Sequence, residues 1–265
     1  HTGALAGTEA LYEAIFRQTG IIRAESVNEL FDFANAFAYK QESPLGKLRR
    51  KLPPGRRVAI VTNAGGPGIL ATDMTVTADL ELAAFGKDTI ENLARQLPAT
   101  ANIRNPVDVI GDATQDRYES ALWTVVKDDN VDGVLVILTP QSMTNALGTA
   151  EAIVRVARGT HKPILCCFMG VVDVSPGVKF LQRHGYPVYP FPENAAKAMA
   201  ALHRYAQWLD RVALPEDAVT YDRTQASAIV GNALTAGRTH LGDLEARKLL
   251  ACYGFHTLPA RLARS

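Results

Sequence analysis

Two stretches carry residue types suited to phosphate chemistry. His1 opens the loop His-Thr-Gly-Ala-Leu-Ala-Gly at residues 1–7. An imidazole nitrogen can accept a phosphoryl group as a covalent intermediate, and small residues let backbone N–H groups approach an anion. A surface-exposed terminal residue, or the remnant of a purification tag, fits the same position. The second stretch is Asn-Ala-Gly-Gly-Pro-Gly at residues 63–68, directly behind the apolar run Val-Ala-Ile-Val-Thr at 58–62. There Asn63, Gly65, Gly66 and Gly68 would offer backbone N–H groups, reinforced by the partial positive charge of a following helix N-terminus. The loop is neither a Gly-x-Gly-x-x-Gly fingerprint nor a Walker loop, because no Lys-Ser or Lys-Thr follows Gly68. A tight structural turn therefore stands beside the phosphate cradle as a reading. Asp108 and Asp112, at the end of another expected strand, either line the same crevice or serve as helix caps.

Other reactive residue types form no constellation. His161, His184, His203, His240 and His256 lack metal-ligand spacing, so no metal site is expected. Cys166 and Cys167 are neighbours in an apolar run, where a strand would point them to opposite faces, and Cys252 falls in a helical pattern. All three read as small buried hydrophobes in a reducing cytoplasm.

The elements that must position these loops follow from periodicity. Residues 8–18 form an expected helix stopped at Gly20, residues 21–23 a short extended stretch, and Ser26 with Glu29 a capping box for a helix striped by Val27, Leu30, Phe31, Ala34 and Phe37. The apolar faces bearing Leu30, Phe31 and Phe37 need cover, which points to a homo-oligomer. Residues 41–54 read as a linker within a polar, proline-bearing stretch that reaches Arg57. Then apolar strands at 58–62, 80–85, 106–110, 131–139, 163–169 and 186–189 alternate with helices, Asp88 and Glu91 capping one, Thr114 opening another and Ser175-Pro176 a third. Strands apolar throughout and separated by helices call for a parallel sheet covered on both faces. The fold class is therefore α/β, a doubly wound parallel sheet over residues 55–211. Residues 212–240 read as linker with a helix near 225–234, and 241–253 as a helix closed by Gly254 before an expected strand at 255–259.

Composition bounds the partners. Hydrophobic residues make up 47% and charged residues 21%, with a formal net charge of +1, so nothing electrostatic favours nucleic acid or an anionic membrane. No apolar run approaches the roughly 20 residues that span a bilayer. The chain opens on His1 rather than Met and shows no signal peptide.

The blocks together resemble NDP-forming (ADP-forming) acyl-CoA synthetases, the acetate–CoA ligase family related to succinyl-CoA synthetase. Residues 1–7 with Tyr-Glu-Ala-Ile-Phe-Arg-Gln at 12–18 resemble its phosphohistidine loop and following helix. Residues 58–68, Asn-Pro-Val-Asp-Val-Ile-Gly-Asp-Ala-Thr at 105–114 and Val-Leu-Val-Ile-Leu-Thr-Pro-Gln at 134–141 resemble its second ligase-type, flavodoxin-like domain. Leu-Glu-Ala-Arg-Lys-Leu-Leu at 244–250 with Tyr253 and Gly254 resembles the entrance to its ATP-grasp domain. The resemblance implies a fragment: residues 1–40 end a first flavodoxin-like domain, 55–211 form the second, and 241–265 begin an ATP-grasp domain. It implies acid–thiol ligation, in which acyl-CoA, phosphate and ADP interconvert with free acid, CoA and ATP through acyl phosphate and phosphohistidine. His1 would be the carrier and the residue 63–68 loop would hold phosphate, with Asp108 and Asp112 orienting a histidine or loop. CoA, ATP or ADP, and Mg would be used by the full-length enzyme, with CoA-binding and ATP-grasp domains as partners and an acyl acid as substrate; the fragment alone would not turn over. Two departures stand out: Val-Val-Asp at 171–173 where the family continues with Gly and an acid, and Thr-Ala-Asp at 77–79 where it has a Gly. The competing readings are the synthetase-like regulatory region of a protein lysine acetyltransferase and a non-catalytic module binding a phosphate-bearing ligand or a subunit. The first loses ground to the presence of His1, and flavin binding to the lack of a Ser/Thr-rich cradle.

Overall fold

A computed structural model describes residues 9–42, 48–170, 174–211 and 221–260, in two compact units that divide after Arg211. The loop bearing His1 and the departure at 171–173 lie outside the described residues.

The first unit begins with helices α1 (Glu9–Thr19) and α2 (Val27–Ala38) and a short antiparallel pair, β1 (Lys40–Glu42) with β2 (Leu48–Arg50). The alternating part follows: β3 (Arg57–Thr62), α3 (Gly65–Thr77), β4 (Glu81–Leu82), α4 (Lys87–Gln96), β5 (Val107–Asp108), α5 (Gln115–Val126), β6 (Gly133–Leu138), α6 (Ala146–Arg158), β7 (Ile164–Phe168), α7 (Ser175–Arg183), β8 (Val188–Tyr189) and α8 (Pro192–Leu209). The strands pair in parallel in the order β4-β3-β6-β7-β8, with β5 also on β3. The doubly wound parallel sheet is thus present.

Period-two alternation builds two cores. Ala59, Val61, Val134, Val136, Cys166 and Phe168 face α4 to α7, while Val58, Ile60, Leu135, Ile137, Leu165 and Cys167 face α2, α3 and α8. Adjacent Cys166 and Cys167 therefore part to opposite faces, where burial pushes both thiols up, the second to about 12.

β3 meets β4 only at residues 57–58 and β5 only at 61–62, which leaves a gap in the ladder. The Asn105 side chain fills it. Its Oδ1 accepts from the Ile60 N–H at 2.9 Å, and its Nδ2 donates to the carbonyls of Val58 (2.8 Å) and Ala83 (3.1 Å). An amide side chain here replaces a peptide unit. That is why the expected strand over 80–85 shrinks to Glu81–Leu82 and the one over 106–110 to Val107–Asp108.

The first helices are tied to α8. Gly20 takes φ +73°, and a Cβ there would lie 2.4 Å from the Trp208 ring, so only glycine fits. Trp208 Nε1 donates to the Gln18 carbonyl at 3.2 Å and Arg211 to the Arg17 carbonyl at 2.8 Å, satisfying the open C-terminus of α1. Phe33 and Ala36 are buried, and Phe37 meets Tyr205 edge-on at 5.4 Å, so Phe37 finds its cover within the chain while Leu30 and Phe31 stay exposed. Ser26 caps α2 through the Glu29 N–H (3.1 Å); the Glu29 carboxylate reaches Glu25 N–H and Lys197, which holds it below the usual carboxylate range.

Several expected details differ. Residues 21–23 pair with no strand among the described residues, and Arg23 turns to Glu9 and Glu13. The β1–β2 pair spans 40–50, overlapping the expected linker, and after it Lys51 buries its ammonium against the carbonyls of Ala157 and Thr160 at the end of α6. Gly86, not Asp88, stands at the N-cap of α4, because its N–H is taken by the Asp128 carboxylate at 2.8 Å; Asp88 lies in the first turn. Buried Val174, not Ser175, caps α7.

The end of α3 explains the departure at 77–79. Leu80 N–H bonds to the Thr75 carbonyl and Asp79 N–H to that of Val76, a Schellman closure that puts Asp79 at φ 66°. A Cβ in that region costs about 1 kcal/mol. Asp79→Gly is expected to raise stability by up to about 1 kcal/mol, read from the denaturant midpoint at unchanged m-value.

Buried His203 supplies a pH dependence. Burial lowers its pKa, outweighing the nearby Asp132 carboxylate, and Arg56 and Arg204 act in the same direction as burial. The folded state therefore prefers the neutral ring. The stability this provides is complete above the ordinary imidazole range and is lost as pH falls through that range to the depressed folded pKa. Melting temperature should drop on acidification from pH ~7 to ~5, and His203→Gln should flatten that part of the profile.

The second unit pairs α9 (Arg223–Thr235) with α10 (Asp243–Cys252). Asp222 caps α9 through the Gln225 N–H at 2.9 Å, Glu245 reaches back to the Gly242 N–H at 2.9 Å, and Tyr221 stacks on Tyr253 at 5.5 Å. Residues 255–259 form no strand here.

Candidate functional site

The chain leaves β3 for β4 on one side and later enters β6 on the other, so the sheet order reverses between β3 and β6. The crevice outside the carboxyl ends of such strands is where open α/β sheets bind ligands. The residue 63–68 loop follows β3 there, and Thr139 and Gln141 follow β6.

The four loop residues do different things. Asn63 is buried, and its side chain turns inward: Nδ2 donates to the Thr139 carbonyl (2.8 Å), and Oδ1 accepts from Thr139 N–H (2.9 Å) and Oγ1 (3.0 Å). Fully buried Tyr118 donates its hydroxyl to the Ile137 carbonyl at 2.8 Å, beneath this turn. Gly68 is buried against Thr62 and Pro106, where a Cβ would come within 3.1 Å of Thr62 Cγ2, and its N–H bonds to the Ala64 carbonyl at 3.3 Å. Both residues are buried, and the Gly68 amide is taken within α3. The expectation that the Gly68 amide donates to an anion is therefore corrected, and the Asn63 side chain is committed to Thr139.

Gly65 and Gly66 are exposed and begin the 13-residue α3, with Ala64 as N-cap and no side-chain cap. Ala64 N–H already bonds to Thr62 Oγ1 at 3.1 Å. The N–H groups of the first turn of a helix have no intrahelical acceptor, and neither of these two has a partner among the described residues. A Cβ on Gly66 would meet nothing within 4 Å. Two amides at the positive end of a helix face open space.

Asp108 flanks them. Its Oδ1 accepts from the Ile110 N–H at 2.9 Å, and its Oδ2 lies 3.7 Å from where a Gly65 Cβ would be. Ile110 sits at φ 71°, strained for a β-branched residue. Asp112 is exposed and paired with Arg117, which also donates to the Val109 carbonyl at 2.9 Å. The structure brings Gly65, Gly66 and Asp108 together and directs Asp112 to Arg117.

Sequence reasoning missed the inward use of Asn63 and the parts played by Tyr118, Thr139 and Asn105. The available signal was a polar amide ending a buried strand with no solvated face to occupy.

A family described as the Ligase-CoA domain matches residues 58–214, and one described as the succinyl-CoA ligase like flavodoxin domain matches residues 1–37. The acetate–CoA ligase [ADP-forming] I of Archaeoglobus fulgidus is 37% identical over 266 residues, covering 100% of this chain and 36% of that protein. The acetate–CoA ligase [ADP-forming] II subunit alpha of Pyrococcus furiosus is 36% identical over 78% of this chain and 44% of its own length. Among solved structures, the dinucleotide forming acetyl-coenzyme A synthetase 1 of Ca. Korarchaeum cryptofilum, in complex with phosphate and ADP, aligns with a TM-score of 0.69 and 32% identity over 78% of this chain and 43% of that one. This chain thus spans well under half the length of these relatives. With the sheet and its switch-point loop inside the larger match, the chain belongs to the Ligase-CoA domain family.

Proposed function

We propose that this chain is part of an acid–thiol ligase in which the first turn of α3 holds phosphate through the N–H groups of Gly65 and Gly66. In the reaction, a phosphate oxygen attacks the acyl-CoA carbonyl carbon and the CoA thiolate leaves, giving an acyl phosphate. His1 takes the phosphoryl group as the carboxylate departs, and the terminal oxygen of ADP then takes it from the imidazole to form ATP. The observation that carries this reading is the pair of open amides at the switch point, in a chain whose solved relative is described with phosphate and ADP. Fixed N–H dipoles suit a dianion because they need no reorganisation as charge develops. Asp108 rather than Asp112 is the carboxylate placed to orient a group entering beside the amides, since Asp112 is held by Arg117.

The remaining parts of the assignment belong to the full-length protein. Residues 1–40 close a first flavodoxin-like domain, 55–211 form the second, 41–54 and 212–240 link them onward, and 241–265 open an ATP-grasp domain. CoA and nucleotide are assigned to domains beyond this chain. No group of three or more His, Cys, Asp or Glu converges among the described residues, and Mg is assigned with the nucleotide to the nucleotide domain. No described helix is long and apolar enough to cross a membrane. The enzyme is assigned to the cytoplasm, with an acyl acid as substrate, and to a homo-oligomer because Val27, Leu30 and Phe31 stay exposed on α2.

The test is to give the full-length protein ATP labelled at its terminal phosphate. An acid-labile, base-stable phosphoprotein that discharges on adding CoA and the acid supports the reading. Absence of label, or label that survives acid, defeats it.

A further inference from the structure

We infer that Asn63 is a positioning residue for the phosphate site, acting through Thr139 and never touching the ligand. The inference rests on the proposed phosphate reading of Gly65 and Gly66 and adds a cause for their fixed direction.

The Asn63 side chain makes three hydrogen bonds, all to Thr139: one to its carbonyl, one from its N–H and one from its hydroxyl. The last registered pair between β3 and β6 is Thr62 with Ile137. Beyond it the backbones stop exchanging ladder bonds, and the Asn63 amide carries the connection one step further, as Asn105 does on the other side of β3. At the far end of the loop, Gly68 is packed on Thr62 and Pro106. The segment between is pinned at both ends, and the two open amides lie within it.

A cap through a side-chain hydroxyl or carboxylate would fix a helix start by occupying those same amides. Here the N-cap is Ala64, which has no such group, and Gly65 and Gly66 remain open. Holding the loop from behind, through a neighbouring strand, fixes their direction without consuming them. That is the arrangement a preorganised anion site requires.

The experiment uses the full-length ligase in the direction of acyl-CoA, ADP and inorganic phosphate, with four variants. Asn63→Ala removes the tether, and Thr139→Val removes only its hydroxyl contact. Leu93→Ala, in the buried core on α4, serves as a stability control. Gly65→Pro deletes one of the amides themselves. For Asn63→Ala the apparent KM for phosphate is expected to rise about tenfold or more while the KM for ADP stays constant. Thr139→Val should give a smaller rise of the same kind, keeping the test decisive should Asn63→Ala fold poorly. Leu93→Ala should lower the melting temperature with no change in the KM for phosphate. A shift for Gly65→Pro but none for Asn63→Ala or Thr139→Val overturns the positioning role alone. No shift for Gly65→Pro overturns the phosphate reading beneath it.

Discussion

Replacing Gly65 by proline is expected to weaken phosphate use by the full-length enzyme about 10- to 100-fold while leaving the fold intact. Gly65 is the first residue of α3, the position where proline is favoured because its fixed φ suits the helix and its missing N–H has no intrahelical acceptor. The residue before a proline must be extended, and Ala64 already is, at φ −149° and ψ 124°. The nearest atom to a new Cβ would be Asp108 Oδ2 at 3.7 Å, an ordinary contact. Stability should therefore change by less than about 1 kcal/mol, with a gain as plausible as a loss. The ligand would lose one hydrogen bond from a neutral donor to a charged acceptor, worth about 1.5–3 kcal/mol, or one to two decades in affinity. Phosphate-dependent rates at subsaturating phosphate, set beside melting curves, separate the two effects. A wild-type KM for phosphate in a well-folded Gly65→Pro enzyme would remove α3 from the chemistry.

How far the site could be read in advance depended on what kind of information each residue carries. The strands at β3, β6 and β7 were legible because both faces are buried and almost every residue must be apolar, which leaves an unmistakable run. The glycine loop behind β3 was legible for the same reason, as a break in such a run. Direction was not legible. Asn63, Gly65, Gly66 and Gly68 are equivalent as backbone donors on paper, yet only the middle pair is exposed, because Asn63 is buried on Thr139 and Gly68 is packed on Thr62 and Pro106 with its amide on Ala64. Asp108 and Asp112 were likewise indistinguishable until Arg117 claimed one of them. Strand length failed where a side chain replaced the ladder: nothing in the run at 80–85 indicates that Asn105, some twenty residues later, supplies bonds that a longer β4 would have made. Asp79 shows a different limit, since a left-handed helix end usually announces itself by glycine and here does not.

Replacing His1 by asparagine should abolish the acid-labile label altogether and reduce net ATP formation by roughly three orders of magnitude or more, the scale of loss when a covalent nucleophile is removed. Asparagine retains polarity and similar bulk but has no nitrogen nucleophilic enough to take a phosphoryl group. The loss should be selective. Formation of acyl phosphate from acyl-CoA and phosphate breaks the thioester and needs no imidazole, so the variant should still release CoA in a single phosphate-dependent turnover and then stall. Gly65→Pro is expected to do the reverse, impairing phosphate entry while leaving labelling from ATP in place at saturating nucleotide. The two variants therefore divide the reaction at the acyl phosphate, one on each side. If both fail at the same step, or if His1→Asn blocks CoA release as well as ATP formation, then carrier and amides do not serve successive stages, and the division of labour between the histidine loop and the α3 N-terminus is wrong.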